Sequence, residues 1–213
     1  MLLKDHAKLL FTGDSVTDCG RARPVGESAF GGLGNGYVLL IDGELHAVHP
    51  EKKIRVVNSG VSGDTMRHLD ARWQTDVADL RPDWLVMLIG INDVWRQFDA
   101  PLIPESHVLP EEYRRLMKLR VAEIRPELDG LVIMSPYMME PALDDPMRRR
   151  MDEYGAVCRE IAAAHDAVFV DLQAGFDQLL KHYHSYVASG DRIHPNHIGS
   201  ALISRLFLQA IGA

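Results

Sequence analysis

The chain has 213 residues, of which 46% are hydrophobic and 25% are charged, and its formal net charge is −7. These values are ordinary for a soluble globular protein, and the length fits one domain, which we expect to span residues 1–213. The acidic balance argues against a nucleic-acid-binding protein, because that class needs a basic face.

The N-terminal residues 1–8 lead directly into the first predicted strand. A secretory signal needs a basic start, an apolar stretch and a cleavage site before the mature fold, and this segment has no room for them. No apolar run approaches the ~20 residues of a membrane span. We therefore expect a cytoplasmic protein with no membrane partner.

Short apolar runs alternate along the chain with amphipathic stretches. The apolar runs predict five strands, over residues 9–12, 54–58, 85–89, 131–135 and 168–170. The amphipathic stretches predict helices over residues 34–48, 65–80, 111–125, 147–165, 172–183 and 198–211. Strands with few alternating polar residues suit burial on both faces. The alternation therefore predicts a doubly wound α/β domain with a parallel sheet.

Two connections, residues 99–110 and 136–146, are longer than usual and each carries three prolines. Long connections in compact α/β domains are usually functional loops. Both follow the carboxyl ends of predicted strands, where open α/β sheets bind ligands. We expect them to form the walls of a substrate cleft.

Four short motifs stand at the boundaries between predicted strands and loops. They are Gly13-Asp-Ser15, Asn58-Ser-Gly-Val-Ser-Gly63, Gly90-Ile-Asn-Asp93 and Asp191-Arg-Ile-His-Pro195. Together they supply a serine, candidate oxyanion donors and an Asp/His pair three residues apart. This set of groups suits acyl transfer through a covalent serine ester.

The spacing of Asp191 and His194 lets the carboxylate reach Nδ1 of the imidazole within one turn, while Nε2 faces Ser15 as its base. Taken alone, the same motif is more typical of a turn before the last helix, with Asn196 as the helix cap. The nucleophile motif of α/β-hydrolases is Gly-x-Ser-x-Gly in mid-chain, whereas Thr17 lies two residues after this serine. The sequence therefore disfavours the α/β-hydrolase fold.

The four motifs resemble those of the SGNH hydrolases, also called the GDSL esterase/lipase family, over nearly the whole chain. The family's Ser, Gly, Asn and His are matched by Ser15, Gly63, Asn92 and His194. The resemblance implies a three-layer α/β/α flavodoxin-like fold with a five-stranded parallel sheet of order 2-1-3-4-5. It implies the triad Ser15, Asp191 and His194, with an oxyanion hole from Ser15, Gly63 and Asn92, and no cofactor.

Longer stretches, at residues 11–24, 89–97 and 145–149, resemble the intracellular acetylxylan esterase branch of this family. That branch implies a small-molecule ester substrate, with removal of O-acetyl groups from xylo-oligosaccharides or related sugars. A general short-chain esterase, lipase or thioesterase would use the same site, and an inert binding module is a remote alternative. Relatives of the branch can form ring-like homo-oligomers, so a homo-oligomer is possible here, but residues 182–190 depart from the branch, which leaves assembly open.

Other side chains near the motifs have structural and functional interpretations. Trp95, on a predicted loop beside Asn92, is a candidate for an apolar or sugar-stacking wall, with simple packing as the alternative. Asp14, Asp93 and Asn58 are expected to hydrogen-bond backbone groups that hold the loops.

Several remaining patterns favour structural interpretations. The glycine cluster at residues 31–36 fits no nucleotide-binding spacing. Arg148–Arg150 is expected on a solvated helix face, with an inter-subunit contact as the alternative. The histidine pairs have no convincing third ligand, so no metal is expected. Cys19 and Cys158 match neither a disulfide framework nor a zinc site and are expected to pack as small residues.

Overall fold

The computed structural model describes residues 1–28 and 30–213. Five strands lie within them: β1 (Lys8–Gly13), β2 (Arg55–Asn58), β3 (Trp84–Leu88), β4 (Gly130–Met134) and β5 (Val168–Val170). All pair in parallel and form one sheet in the order β2-β1-β3-β4-β5. The predicted parallel sheet and its strand order are confirmed.

The helices lie in the connections between the strands and in the segment that follows β5. They are α1 (Ser15–Asp18), α2 (Tyr37–Val48), α3 (Met66–Ala71), α4 (Ile91–Asp99), α5 (Pro110–Ile124), α6 (Pro146–Ala164), α7 (Leu172–Leu180) and α8 (His197–Ile211). A π-helical turn, Gln74–Ala78, follows α3, so the helix predicted over residues 65–80 is divided in two. Neither α1 nor α4 is among the predicted helices.

The helices cover both faces of the sheet. Crossovers between parallel strands are right-handed, and the chain moves from β1 outward to β2 but then turns back through β3 to β5. Helix α2 therefore lies on one face, where it packs against α8, which in turn contacts α7. Helices α3, α5 and α6 lie on the other face and contact one another in sequence, with α4 against α6.

The centre of the sheet is buried on both faces, as the apolar runs predict. Every residue of β3 and β4 is buried. At the carboxyl end of the sheet, Gly13 pairs with Leu88, and a β-carbon on this glycine would lie 2.1 Å from the Leu88 carbonyl oxygen. Only glycine allows the two strands to end side by side here, directly before Ser15.

Among the residues that the structure describes, none of the helices has the length and apolarity needed to cross a membrane.

Candidate active site

Ser15 is the first residue of α1 and follows β1 after a single residue, Asp14. The Asp14 side chain caps the helix, because its Oδ1 accepts a hydrogen bond from the backbone N–H of Val16 at 3.0 Å. Val16, Thr17 and Asp18 are buried. The serine is therefore presented at the carboxyl edge of the sheet by a short helix that is fixed on its other sides.

The serine, histidine and aspartate of the first and last motifs meet in one chain of hydrogen bonds. Ser15 Oγ lies 2.9 Å from His194 Nε2. The other ring nitrogen of His194, Nδ1, lies 2.6 Å from Asp191 Oδ2. The structure thus brings the three predicted triad residues together with the predicted division of the two ring nitrogens.

The carboxylate of Asp191 is held by four donors. Its Oδ1 accepts from the Ser189 hydroxyl at 2.9 Å and from the backbone N–H groups of Ile193 and His194 at 2.9 and 2.8 Å. Partial burial opposes ionisation, but these hydrogen bonds and the one from the His194 ring outweigh it and lower the pKa of Asp191 to about 2. The group is therefore an anion at neutral pH and is oriented toward the imidazole.

Gly63 occupies a turn between the serine helix and the asparagine motif. Its φ of +86° lies in the left-handed region that favours glycine. On one side, Ser62 donates to Asp18 Oδ2 from both its backbone N–H and its hydroxyl, each at 2.9 Å. On the other side, the Asp64 carbonyl accepts from Asn92 Nδ2 at 3.0 Å. Within the described chain, the Gly63 N–H has no hydrogen-bond partner.

Asn92 and Trp95 lie on helix α4 rather than on the predicted loop. Gly90 is the residue before the helix, and Asn92 stands in the first turn, buried except for a small fraction of its surface. One N–H of its amide is used by Asp64, which fixes the side chain and leaves the second N–H as a donor. Placement on a helix makes this donor more rigid than a loop would.

Trp95 lies beside the histidine of the triad. Its ring centroid is 5.7 Å from that of His194, with the two planes tilted by 51°. The Arg96 guanidinium lies 5.4 Å from the Trp95 ring, in cation–π range. The side chain is half-buried against the core, which agrees with packing, and its role as a wall of the substrate site stays a prediction.

Two carboxyl groups next to the site are completely buried. Burial raises the pKa of Asp14 to about 7 and that of Asp93 to about 8. Asp93 accepts from the backbone N–H of Met66 at 2.9 Å, at the start of α3. Asn58 bonds the Thr17 carbonyl at 2.7 Å. The prediction that these three side chains hold backbone groups of the loops is confirmed.

The two long connections differ in their positions. Glu140 and Pro141, from residues 136–146, line a cavity of about 450 Å³ beside Asp191, together with Tyr183, His184, Tyr186 and Arg192. Residues 99–110 instead contact α3, where Arg67 donates to the carbonyls of Glu105 and His107 at 2.8 and 3.0 Å. The second connection therefore lines a cavity beside Asp191 and the first contacts α3, while the expectation that both wall a substrate cleft stays a prediction.

The expectation of a solvated face for Arg148–Arg150 is wrong for Arg148. This residue is buried, and its guanidinium pairs with Asp152 at 3.0 Å and with Asp177 at 2.8 Å. Its neighbour Arg149 is exposed and Arg150 pairs with Glu153 at the surface, as expected. Spacing along the chain could not separate Arg148 from the others, because Asp177 comes from α7.

Sequence reasoning missed Asp18 and Ser189, which support the site through other residues. Asp18 connects the serine helix to Ser62, and Ser189 orients Asp191. Both are buried polar residues close to a motif in the chain. One sequence pattern points to them: each is an Asp or a Ser within three residues of one of the four motifs.

The structure shows the surroundings of Cys158 and of the side chains that could bind a metal. Cys158 is buried and its Sγ lies 3.1 Å from the Tyr113 hydroxyl, which agrees with packing. In residues 1–28 and 30–213, no group of three or more His, Cys, Asp or Glu side chains is arranged to hold a metal ion.

Known proteins are similar to this chain in both sequence and structure. The family model of the GDSL-like Lipase/Acylhydrolase family matches residues 11–202. The acetylxylan esterase of Geobacillus stearothermophilus is 50% identical over 212 residues, which cover 100% of this chain and 97% of the relative. The crystal structure of Axe2, an acetylxylan esterase from the same organism, matches with a TM-score of 0.99 at 48% identity, again over 100% and 97% of the two chains.

Other solved structures extend this similarity. LAE5, described as an alpha/beta hydrolase enzyme from the metagenome of Lake Arreo, Spain, has a TM-score of 0.98 at 47% identity over 100% of this chain and 98% of its own. Axe2 has also been solved as catalytic mutants in which a serine, an aspartate or a histidine is replaced by alanine.

Proposed function

This chain belongs to the GDSL-like lipase/acylhydrolase family, and on that premise we propose that it removes O-acetyl groups from xylo-oligosaccharides through an acyl-enzyme on Ser15. The observation that carries the proposal is the hydrogen-bonded series from Ser15 Oγ through His194 to Asp191, at 2.9 and 2.6 Å. A serine hydroxyl is a weak nucleophile until a base takes its proton, and here the base is within reach and is itself oriented by a carboxylate.

The first half of the reaction forms the acyl-enzyme. Ser15 Oγ attacks the ester carbonyl carbon while its proton passes to His194 Nε2, and the carbonyl electron pair moves onto oxygen. Asp191 stays ionised and stabilises the imidazolium that forms. When the tetrahedral intermediate collapses, the bond to the sugar oxygen breaks and that oxygen takes the proton from His194.

The second half returns the enzyme to its starting state. A water molecule gives one proton to His194 Nε2 and adds its oxygen to the acyl carbon. The bond to Ser15 Oγ then breaks, and the serine recovers its proton from the imidazole. Acetic acid leaves and gives its proton to the solvent, and no cofactor takes part in either half.

The negative oxygen of each tetrahedral intermediate needs fixed donors. We assign this role to the backbone N–H groups of Ser15 and Gly63 and to the free amide N–H of Asn92. The hydrogen bonds from Ser62 to Asp18 and from Asn92 to Asp64 restrain the segments that carry two of these donors, which supports the assignment. Such donors need no reorganisation during the reaction, and loss of one typically lowers the rate by about 10²–10³.

The acetyl-sugar substrate is supported by two observations. The full-length relative at 50% identity is an acetylxylan esterase. In addition, Trp95 presents an aromatic ring beside His194, where the leaving alcohol must take its proton. A ring at this position suits stacking against a sugar face.

The proposal is tested by comparing specificity constants for an acetylated xyloside and for aryl esters from acetate to octanoate. The xyloside should rank among the best substrates, and acetate should exceed octanoate. An octanoate preference of tenfold, about 1.4 kcal/mol of transition-state discrimination, would replace the proposal with a lipase or thioesterase. Trp95→Ala should lower kcat/KM for the xyloside more than for aryl acetate, whereas Trp95→Phe retains an aromatic face as the matched control.

A further inference from the structure

The turn from Asp191 to His194 is held from outside by a loop that has no part in the proposed chemistry. The backbone N–H of Met139 donates to the Arg192 carbonyl at 2.9 Å. The Tyr137 hydroxyl donates to the Ile193 carbonyl at 2.9 Å. In addition, the Arg192 guanidinium pairs with the carboxylate of Glu140. We call these three contacts the clasp; they engage both residues that separate the aspartate from the histidine.

The turn requires such support because its backbone includes a strained residue and its side chains are only partly buried. Arg192 has a φ of +69°, in the left-handed region that costs free energy for residues with a β-carbon. The side chains of His194 and Asp191 are 46% and 43% exposed, so packing around them is incomplete. The position of the imidazole therefore depends on the backbone that carries it.

The loop that forms the clasp is itself anchored in the core. The Tyr137 ring is buried and stacks on Phe176, with centroids 4.3 Å apart. The side-chain amide of Gln173 bonds both the N–H and the carbonyl of Met138, at 2.8 and 3.0 Å. Buried Arg148 donates to the Glu140 carbonyl at 2.7 Å. The clasp therefore connects the turn to helices α6 and α7.

We infer that Glu140, Arg192 and Tyr137 are positioning residues that set the alignment of His194 between Ser15 and Asp191. The inference rests on the proposed function, since it gives that imidazole the role of base. A misplacement of about 1 Å far from the reacting atoms can lower a rate by about 10²-fold. Loosening the turn should therefore reduce kcat and leave binding of a small substrate unchanged.

The test is a double-mutant cycle on the ion pair, with aryl acetate as substrate. Glu140→Gln and Arg192→Asn should each lower kcat about tenfold, less than the loss of about 10²-fold that a 1 Å misplacement can cause. KM should stay within about twofold of the parent value. Asparagine tolerates the left-handed conformation, so the backbone of the turn is retained. The double variant should fall no further than either single one, because removing one partner already breaks the pair. Glu160→Gln, which breaks the α5–α6 surface pair with Arg114, is the matched control and should leave kcat unchanged.

A second measurement reports alignment without relying on activity. Proton NMR would follow the proton on His194 Nδ1, which lies in the hydrogen bond to Asp191. Its resonance should move upfield or disappear in Glu140→Gln, Arg192→Asn and Tyr137→Phe. Unchanged kcat and an unchanged resonance in folded variants would overturn the inference, as would multiplicative losses in the double variant. If the parent chain hydrolysed no ester, the proposed function would fail, and the proton resonance would still decide whether the clasp aligns the imidazole.

Discussion

Three aspartates within the site region show how environment sets the charge of a carboxyl group. Asp191 is partly exposed, but four hydrogen bonds lower its pKa to about 2. Asp14 and Asp93 are fully buried, and burial raises their pKa values to about 7 and 8. The anion that faces the imidazole is therefore the one with the most donors, while burial shifts the other two carboxyl groups toward their protonated forms.

Replacing Ser15 with alanine removes the proposed nucleophile and little else, because the hydroxyl makes one side-chain contact, to His194. We expect kcat/KM for an acetyl ester to fall by at least about 10³-fold. Thermal unfolding should occur at the parent's temperature. The matched control is Ser106→Ala, whose hydroxyl bonds only the Ile103 carbonyl among the described contacts, and it should retain parent activity. Retention of more than a tenth of the parent rate in Ser15→Ala would exclude the assigned role.

The buried Asp93 should make stability depend on pH. Its folded pKa is about 8, against 3.8 for the free side chain, so between these values the folded chain holds one proton more than the unfolded chain. The free energy of unfolding should therefore fall as pH rises through this window, by about 1.4 kcal/mol per pH unit for this group. In Asp93→Asn that contribution disappears.

Urea unfolding at pH 5 and at pH 7.5 measures this difference. The variant should gain stability relative to the parent at the higher pH, whereas Asp144→Asn, at an exposed site, should follow the parent. An Asp93→Asn protein with the parent's pH dependence would show that this carboxyl group is ionised in the folded state.

Helix α4 was absent from the predicted elements although its sequence contains the required pattern. Ile91, Val94, Trp95 and Phe98 recur at positions i, i+3, i+4 and i+7, the spacing of one helix face. The glycine, asparagine and aspartate at its start are typical of turns and favoured a loop interpretation. The motif residues alone therefore indicate a loop, and the helix becomes evident only when the apolar residues that follow them are included.

The start of α7 offers a test of how one side chain supports an element. Asp171 Oδ1 accepts from the backbone N–H of Ala174 at 2.9 Å, which caps the helix. Asp171→Ala should lower the free energy of unfolding by about 1 kcal/mol. Asp171→Asn keeps an acceptor for the cap and loses only the surface pair with Arg159, so it should remain close to the parent in chemical denaturation. Equal losses in the two variants would assign the effect to the ion pair.

For the whole molecule, the apolar runs predict the parallel α/β architecture, and the strand order follows from the family resemblance. The five apolar runs match the five strands within a residue or two, because strands buried on both faces carry few polar residues. The motifs predicted the meeting of Ser15, Asp191 and His194. That these residues catalyse the reaction, like the single-domain organisation, the cytoplasmic location and any homo-oligomer, stays a prediction.

What the sequence could not predict are the contacts between elements distant in the chain. The burial of Arg148 depends on Asp177, and the support of the Asp/His turn depends on Tyr137 and Glu140. None of these pairs has a spacing that reflects a helix or strand period. They depend on which loops the parallel sheet brings to one edge, and only the folded chain shows this.

The most direct test of the serine ester mechanism is covalent labelling with a phosphonate ester, followed by intact mass measurement and peptide mapping. The parent chain should gain a single adduct on the peptide that carries Ser15, with loss of esterase activity in step. Ser15→Ala should gain none, and His194→Ala should react far more slowly because the base is missing. An adduct mapped to a different serine, or ester hydrolysis that continues in the fully labelled protein, would contradict the account.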